Sequence, residues 1–282
     1  MKPPVPACTL VNGEARDSIA IADRGLAYGD GVFETLLVDA GEPVWWDAHL
    51  RRLQRGCDAL GIDCPDAALL REEAARVAQD GARGVLKITV TRGVSLRGYA
   101  APASPQPTRI VSLSPWAGVA AATVAQGIEV RWCRTTLALQ PRLAGIKHLN
   151  RLEQVLARRE WEDPAIAEGL LCDTEGRVVS ATAANLFLVC DGRLATPVLT
   201  RCGVEGVCRE WILQQAAVAV HDVARDAVLE ADELFLCSSL RGILPVARLD
   251  GLRHAPGPMT RRLQHALWQA VPALRPDPGT TA

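Results

Sequence analysis

The amino-acid sequence predicts an α+β protein of two domains, and three observations carry that expectation. The chain has 282 residues, 49% of them apolar, which exceeds one average domain and suffices for two cores. Strand-like and helix-like periods interleave without the regular βαβ alternation of a doubly wound sheet. A Pro-, Ala- and Gly-rich passage over 114–127 keeps neither period and reads as a linker. The expected domains are therefore 1–113 and 128–282, with Lys147 in the second.

The first element is a hairpin, because Thr9-Leu10-Val11 runs into Asn12-Gly13, a pair that tolerates the positive φ angles of a type I′ turn. A strand over 31–38 turns at Asp39-Ala40-Gly41 and returns through Val44-Trp45-Trp46. The period then changes. Leu50, Leu53, Cys57 and Leu60 recur at three- and four-residue steps, predicting an amphipathic helix capped by Asp47 and ended by Gly61. A second helix spans 66–79, and strands over 85–90 and 109–113 flank a loop over 92–107. Beyond the linker the pattern predicts strands over 128–134, 168–172, 177–181, 185–189, 233–237 and 243–249. Helices are expected over 149–160 and from about 207. No internal repeat is visible.

Thirty-one basic and 32 acidic residues leave a formal net charge of −1. Nothing in that balance attracts phosphate backbones or anionic lipid broadly, so nucleic acid and membrane are not expected partners. Met1-Lys2-Pro3-Pro4-Val5-Pro6 lacks a signal-peptide core, and no later stretch stays apolar long enough to span a bilayer; a soluble cytoplasmic protein is expected. Nine cysteines without a C-x-x-C pair argue against a disulfide framework. His49, His148, His221, His254 and His265 have no metal-ligand spacing, so no metal site is expected. Serine-hydrolase, Walker and dinucleotide signatures are missing.

Four segments carry side chains suited to chemistry. Lys147 lies among Leu143, Ile146 and Leu149, and apolar neighbours favour the uncharged amine that attacks carbonyl carbon. Cys202-Gly203-Val204-Glu205-Gly206-Val207-Cys208-Arg209 precedes a helix whose first amides could hold a phosphate, although glycines before helices commonly serve only as caps. Tyr28-Gly29-Asp30-Gly31-Val32-Phe33-Glu34-Thr35 opens a strand with Phe33 and Thr35 on one face. Arg92-Gly93-Val94-Ser95-Leu96-Arg97-Gly98-Tyr99 offers two guanidinium groups and a phenol for carboxylate capture; solvated loop arginines are the bland alternative.

Taken in order, these segments resemble the fold-type-IV pyridoxal-phosphate family, which holds branched-chain aminotransferases, D-amino-acid aminotransferases and aminodeoxychorismate lyases. The resemblance runs nearly end to end. It is most specific at Leu143-Ala144-Gly145-Ile146-Lys147-His148-Leu149-Asn150-Arg151-Leu152-Glu153-Gln154-Val155-Leu156, which looks like the lyase version of the Schiff-base lysine motif. The resemblance implies the family's two-domain architecture with pyridoxal 5′-phosphate between the domains, bonded to Lys147. It further implies phosphate contacts from Arg52, from the amides of Val207 and Cys208, and from Ser239. Here Cys208 replaces the usual threonine.

The family usually sets a glutamate against the pyridine nitrogen, just before the stretch that reads Ala181-Thr182-Ala183-Ala184-Asn185-Leu186-Phe187 here. This chain has Ser180. A hydroxyl can leave that nitrogen neutral and weaken the ring as an electron sink, which hinders transamination more than an elimination that ends in an aromatic ring. The resemblance therefore implies conversion of 4-amino-4-deoxychorismate to p-aminobenzoate and pyruvate, a step of folate biosynthesis, with an aminotransferase of the same fold as the alternative. By the same resemblance Lys147 is the base and Thr35 helps deliver a proton. Arg97, Tyr99, Tyr28 and Arg151 are the implied substrate contacts, and a homodimer is the implied assembly.

Overall fold

The computed structural model describes residues 8–78 and 83–276. These divide into two compact units, one built from the described residues up to 117 with 146–150 and the other from 118–145 with the described residues from 151 on. The segment carrying Lys147 thus packs with the first unit, whereas the sequence placed it in the second domain. Sequence order could not show this, because the segment is held by strand pairing to residues more than a hundred positions earlier.

The first unit is a six-stranded antiparallel sheet. Its strands are β1 (Cys8–Val11), β2 (Glu14–Ala15), β3 (Gly31–Asp39), β4 (Glu42–Pro43), β5 (Gly84–Thr91) and β6 (Thr108–Pro115), in the order β2-β1-β6-β5-β3-β4. Asn12 and Gly13 both take positive φ, 52° and 84°, as the expected hairpin requires. The turn at Ala40-Gly41 does the same, but the return strand is only two residues long. Trp45 at φ 55° breaks it, and a helix begins at the next residue. Three helices complete the unit: α1 (Arg24–Tyr28), α2 (Trp46–Leu60) and α3 (Ala67–Val77).

Asp47 does not cap α2. It sits inside the first turn, where its charge still complements the helix dipole. Gly61 ends the helix at φ 64°, the left-handed conformation that glycine adopts without steric cost. Asp66 caps α3 by accepting from the amides of Ala68 at 2.7 Å and Leu69 at 3.3 Å, worth about 1 kcal/mol. The predicted end of that helix, Gln79, lies outside the described residues. In β5 the alternation is visible directly, with Leu86, Ile88 and Val90 buried and Lys87 exposed. These side chains meet Val32, Leu36, Leu53, Cys57, Leu70 and Ala74 in one core, where each fully buried leucine contributes about 1.5–3 kcal/mol.

The second unit holds α4 (Ala121–Gln126), α5 (Leu152–Arg158), α6 (Val207–Gln215), α7 (Arg225–Leu229) and α8 (Pro258–Ala270). Its strands are β7 (Ile128–Trp132), β8 (Ile166–Cys172), β9 (Val178–Ala181), β10 (Asn185–Cys190), β11 (Arg193–Pro197), β12 (Val218–His221), β13 (Glu233–Ser238), β14 (Gly242–Leu249) and β15 (Leu252–Arg253). The sheet runs β12-β11-β10-β13-β14-β7-β8-β9, with β15 on β14. It mixes parallel pairs such as β7 with β8 and antiparallel pairs such as β10 with β13.

Two expectations are corrected in this unit. The passage over 114–127 is not a bare linker: β6 extends into it and α4 forms within it. Val124 enters the core, and Arg261 donates to its carbonyl at 3.1 Å. The helix expected over 149–160 covers only Leu152–Arg158, because residues 147–149 pair with β3. Among the described residues no helix is long and apolar enough to cross a membrane.

Candidate active site

Lys147 is positioned by backbone pairing. The amide of Phe33 donates to the Lys147 carbonyl at 2.9 Å, the amide of Leu149 donates to the Gly31 carbonyl at 2.9 Å, and Val32 bridges His148. Residues 147–149 therefore form a short antiparallel rung on β3, whose other edge is paired with β5. Two glycines permit the approach. A Cβ on Gly31 would stand 2.5 Å from the Val90 carbonyl and 2.8 Å from Leu149 Cδ1, and one on Gly29, at φ 67°, would stand 2.7 Å from Asn150 Oδ1. Lys147 is half-buried, and its Nζ lies 4.4 Å from the centre of the Phe33 ring. That is the range of cation–π attraction when the amine is charged.

Alternation along β3 sorts its side chains. Phe33 and Thr35 share one face, and Lys87, opposite Thr35 on β5, puts its Nζ 5.2 Å from the same ring. Glu34 faces the other way, toward α2, and is 1% exposed. Its Oε1 accepts from Arg52 Nε at 2.8 Å, its Oε2 accepts from an Arg52 terminal nitrogen, and His49 Nδ1 lies 2.6 Å from Oε2. Burial pushes the Glu34 carboxyl up, but Arg52 and His49 outweigh it and hold the group down at about 2. Burial, opposed by Glu34 and assisted by the charges of Arg52 and Lys147, pushes His49 below its ordinary value. Arg52 is thus not a loose cation awaiting an anion: Glu34 fixes the plane of its guanidinium.

Tyr28, Tyr99 and Arg97 belong to one neighbourhood of the first unit. Tyr28 Oη accepts from the Gly98 amide at 3.1 Å, and the Tyr28 and Tyr99 rings lie 5.4 Å apart. Arg97 lies between these anchored residues and is exposed.

In the second unit Gly206 precedes α6, and no side chain caps that helix. The first intrahelical bond runs from the Glu210 amide to the Gly206 carbonyl at 2.9 Å, so the amides of Val207, Cys208 and Arg209 precede the helical ladder. Asn185 locks the turn, accepting from the Gly206 amide at 3.1 Å and donating to the Val204 carbonyl at 2.9 Å. A side chain on Gly206 would overlap Asn185 Oδ1. Gly145, two residues before Lys147 in the chain, exchanges bonds of 3.0 Å with the Gly203 carbonyl and the Glu205 amide.

Cys208 is fully buried against Cys237, a contact that together with burial pushes its thiol well above the ordinary range. Its side chain therefore does not stand in for a phosphate-facing hydroxyl, although its amide remains in place. Ser239 is half-buried in the turn between β13 and β14, and Arg151 precedes α5. Ser180 is buried on β9 opposite Leu171. Two positions on, Thr182 bonds Glu168, a buried carboxylate that also pairs with Arg241.

The site residues expected from sequence are thus spread over both units. Glu34, His49 and Glu168 were missed. Glu34 and Glu168 stand among apolar or small residues in the sequence, and only pairing across distant segments reveals the partners of all three.

Each unit by itself offers a feature suited to one part of pyridoxal phosphate. An uncapped helix start with three amides ahead of its ladder suits a phosphate dianion, and a half-buried primary amine with its backbone locked in place suits an aldehyde.

Residues 31–249 match the family described as amino-transferase class IV. The chain is 33% identical to an aminodeoxychorismate lyase of Vibrio harveyi, over 90% of this chain and 97% of that protein. It is 28% identical to a D-alanine aminotransferase of Bacillus licheniformis, over 93% and 96% of the two chains. The crystal structure of 4-amino-4-deoxychorismate lyase from Pseudomonas aeruginosa superposes with a TM-score of 0.89 at 47% identity, covering 93% of this chain and 99% of that one.

Proposed function

Since the chain belongs to the amino-transferase class IV family, we propose that it is a pyridoxal-phosphate-dependent carbon–oxygen lyase that converts 4-amino-4-deoxychorismate to p-aminobenzoate and pyruvate. The observation that carries this reading is the placement of Lys147, fastened to β3 with its amine over the Phe33 ring. Its support among relatives is the pair of lyases at 33% and 47% identity.

When bound, the cofactor supplies an aldehyde for the substrate amine and a ring that withdraws electrons. In the second unit the amides of Val207 and Cys208 and the Ser239 side chain would hold its phosphate; in the first, Arg52 would contribute a guanidinium that Glu34 keeps in plane. Ser180 would offer a hydroxyl, in place of a carboxylate, to the pyridine nitrogen. Lys147 Nζ, as the free amine, would take the proton from the ring carbon that bears nitrogen. The electrons of that C–H bond enter the forming aromatic ring as the carbon–oxygen bond to the enolpyruvyl group breaks. Thr35, on the Phe33 face of β3, helps deliver the proton that turns enolpyruvate into pyruvate. Arg97 takes a substrate carboxylate with Tyr99 and Tyr28 beside it, and Arg151 is the second candidate for a carboxylate contact.

No amino acceptor is consumed, and this gives the test. Supplied with 4-amino-4-deoxychorismate alone, the purified protein should release p-aminobenzoate and pyruvate in equal amounts, and borohydride should fix the cofactor to Lys147. Transamination of D-alanine without p-aminobenzoate release would overturn the proposal. We further place the enzyme in the cytoplasm as a homodimer. Ile21, Leu26, Leu96 and Tyr99 support the dimer as exposed apolar side chains around α1 and the loop it binds. Light scattering of the purified protein measures its mass.

A further inference from the structure

Arg24 belongs to none of the groups above, yet it is almost wholly buried. It opens α1, a helix of only five residues set by the Asp23 cap and the Gly29 turn at φ 67°. Burying a guanidinium is costly unless its donors are met. One is met by Asp30, which accepts from Nε at 2.7 Å. The hydrogen bonds of both terminal nitrogens go to a single loop. Nη1 donates to Ser95 Oγ at 3.1 Å, to the Gly98 carbonyl at 3.1 Å and to the Ala100 carbonyl at 3.2 Å, while Nη2 donates to the Tyr99 carbonyl at 2.9 Å.

The start of that loop is fastened as well. The Arg24 amide donates to the Gly93 carbonyl at 2.9 Å, and the Ser95 amide to the Ala22 carbonyl at 3.3 Å. Asp30 also receives Arg92 Nε at 2.8 Å, so one carboxylate joins the arginine that binds the loop to the arginine that begins it. Gly98 takes φ 105°, a conformation open to glycine, and this turns its amide to Tyr28 and its carbonyl to Arg24. Between these ties, residues 96 and 97 project outward, with Leu96 92% exposed.

We propose that Arg24 is a positioning residue for the substrate, holding the backbone on both sides of Arg97 so that the Arg97 guanidinium is presented in one orientation to a substrate carboxylate. This rests on the assignment of Arg97 as a carboxylate contact. A cation on a pinned loop loses less conformational freedom when it binds than one on a free loop. Arg24 therefore acts on substrate affinity through Arg97, without touching substrate or cofactor.

The test is a double-mutant cycle on the holoenzyme with Arg24→Lys and Arg97→Ala. Lysine keeps the charge beside Asp30 but cannot span four acceptors. Arg24→Lys should raise KM about tenfold, the scale of losing charge-assisted hydrogen bonds, with kcat and cofactor absorbance unchanged. Amide hydrogen exchange over 94–100 should accelerate. In the Arg97→Ala background the same change should raise KM no further. Ser95→Ala removes one Arg24 acceptor with little risk to folding and should reproduce a smaller rise.

The proposal is overturned if Arg24→Lys loosens the loop but leaves KM unchanged, or if its effect on KM persists in full without Arg97. Should Arg97→Ala by itself leave KM unaltered, the assignment of Arg97 fails instead, and the two failures are thereby told apart.

Discussion

Replacing Glu34 with glutamine removes the one negative charge that Arg52 and His49 share inside the first unit. The size of the effect follows from linkage. A carboxyl held at about 2 in the fold, against an ordinary value of 4.5, contributes about 3 kcal/mol at neutral pH. That agrees with the 3–5 kcal/mol scale for breaking a buried ion pair. The sign is set by the lowered value. As pH falls, the unfolded chain takes up the proton first, so the contribution is complete above the ordinary value and fades as pH drops toward the folded one. His49, also lowered, begins to add to the acid loss just below its ordinary value of 6.5.

Urea unfolding followed by the fluorescence of the seven tryptophans measures both proteins across the acid range. Glu34→Gln should be less stable by about 3 kcal/mol near pH 7, and the gap should shrink steadily toward about pH 3. A gap below about 1 kcal/mol at neutral pH, or one that stays constant on acidification, would refute the electrostatic account of this cluster.

Three other changes test the surrounding geometry. Gly31→Ala places a methyl group against the Val90 carbonyl and Leu149, so it should cost about 1–3 kcal/mol in thermal unfolding and slow borohydride trapping at Lys147. Gly206→Ala collides with Asn185 Oδ1 and should weaken cofactor retention by roughly tenfold or more, the worth of one or two lost hydrogen bonds, as read by equilibrium dialysis. Ser180→Glu should protonate the bound ring, shift the visible spectrum and raise slow transamination of D-alanine; an unchanged spectrum and rate would count against the role given to Ser180.

Much of this architecture is legible residue by residue because the forces behind it are local. Asn12-Gly13 dictates its turn through φ alone, and Asp66 reaches its own helix start two and three residues ahead. Leu53 and Cys57 mark the buried face of α2 by spacing. Where locality ends, so does the sequence reading. Trp45 adopts a left-handed backbone that its type does not favour, moving the start of α2, and α4 forms in a passage without helical period because Val124 finds a core and Arg261 finds its carbonyl.

The same division runs through the candidate site. The sequence alone determined which residues were available: a lysine among apolar neighbours, a glycine-bounded helix start, and a loop bearing Arg97. Only the tertiary structure decided that the Lys147 segment pairs with β3, that Glu34 orients Arg52, and that Arg24 spends its donors on the loop around Arg97. The physical reason is that a buried charge has no preferred partner in one dimension. Its environment is set by whichever distant segments the hydrophobic cores bring alongside it.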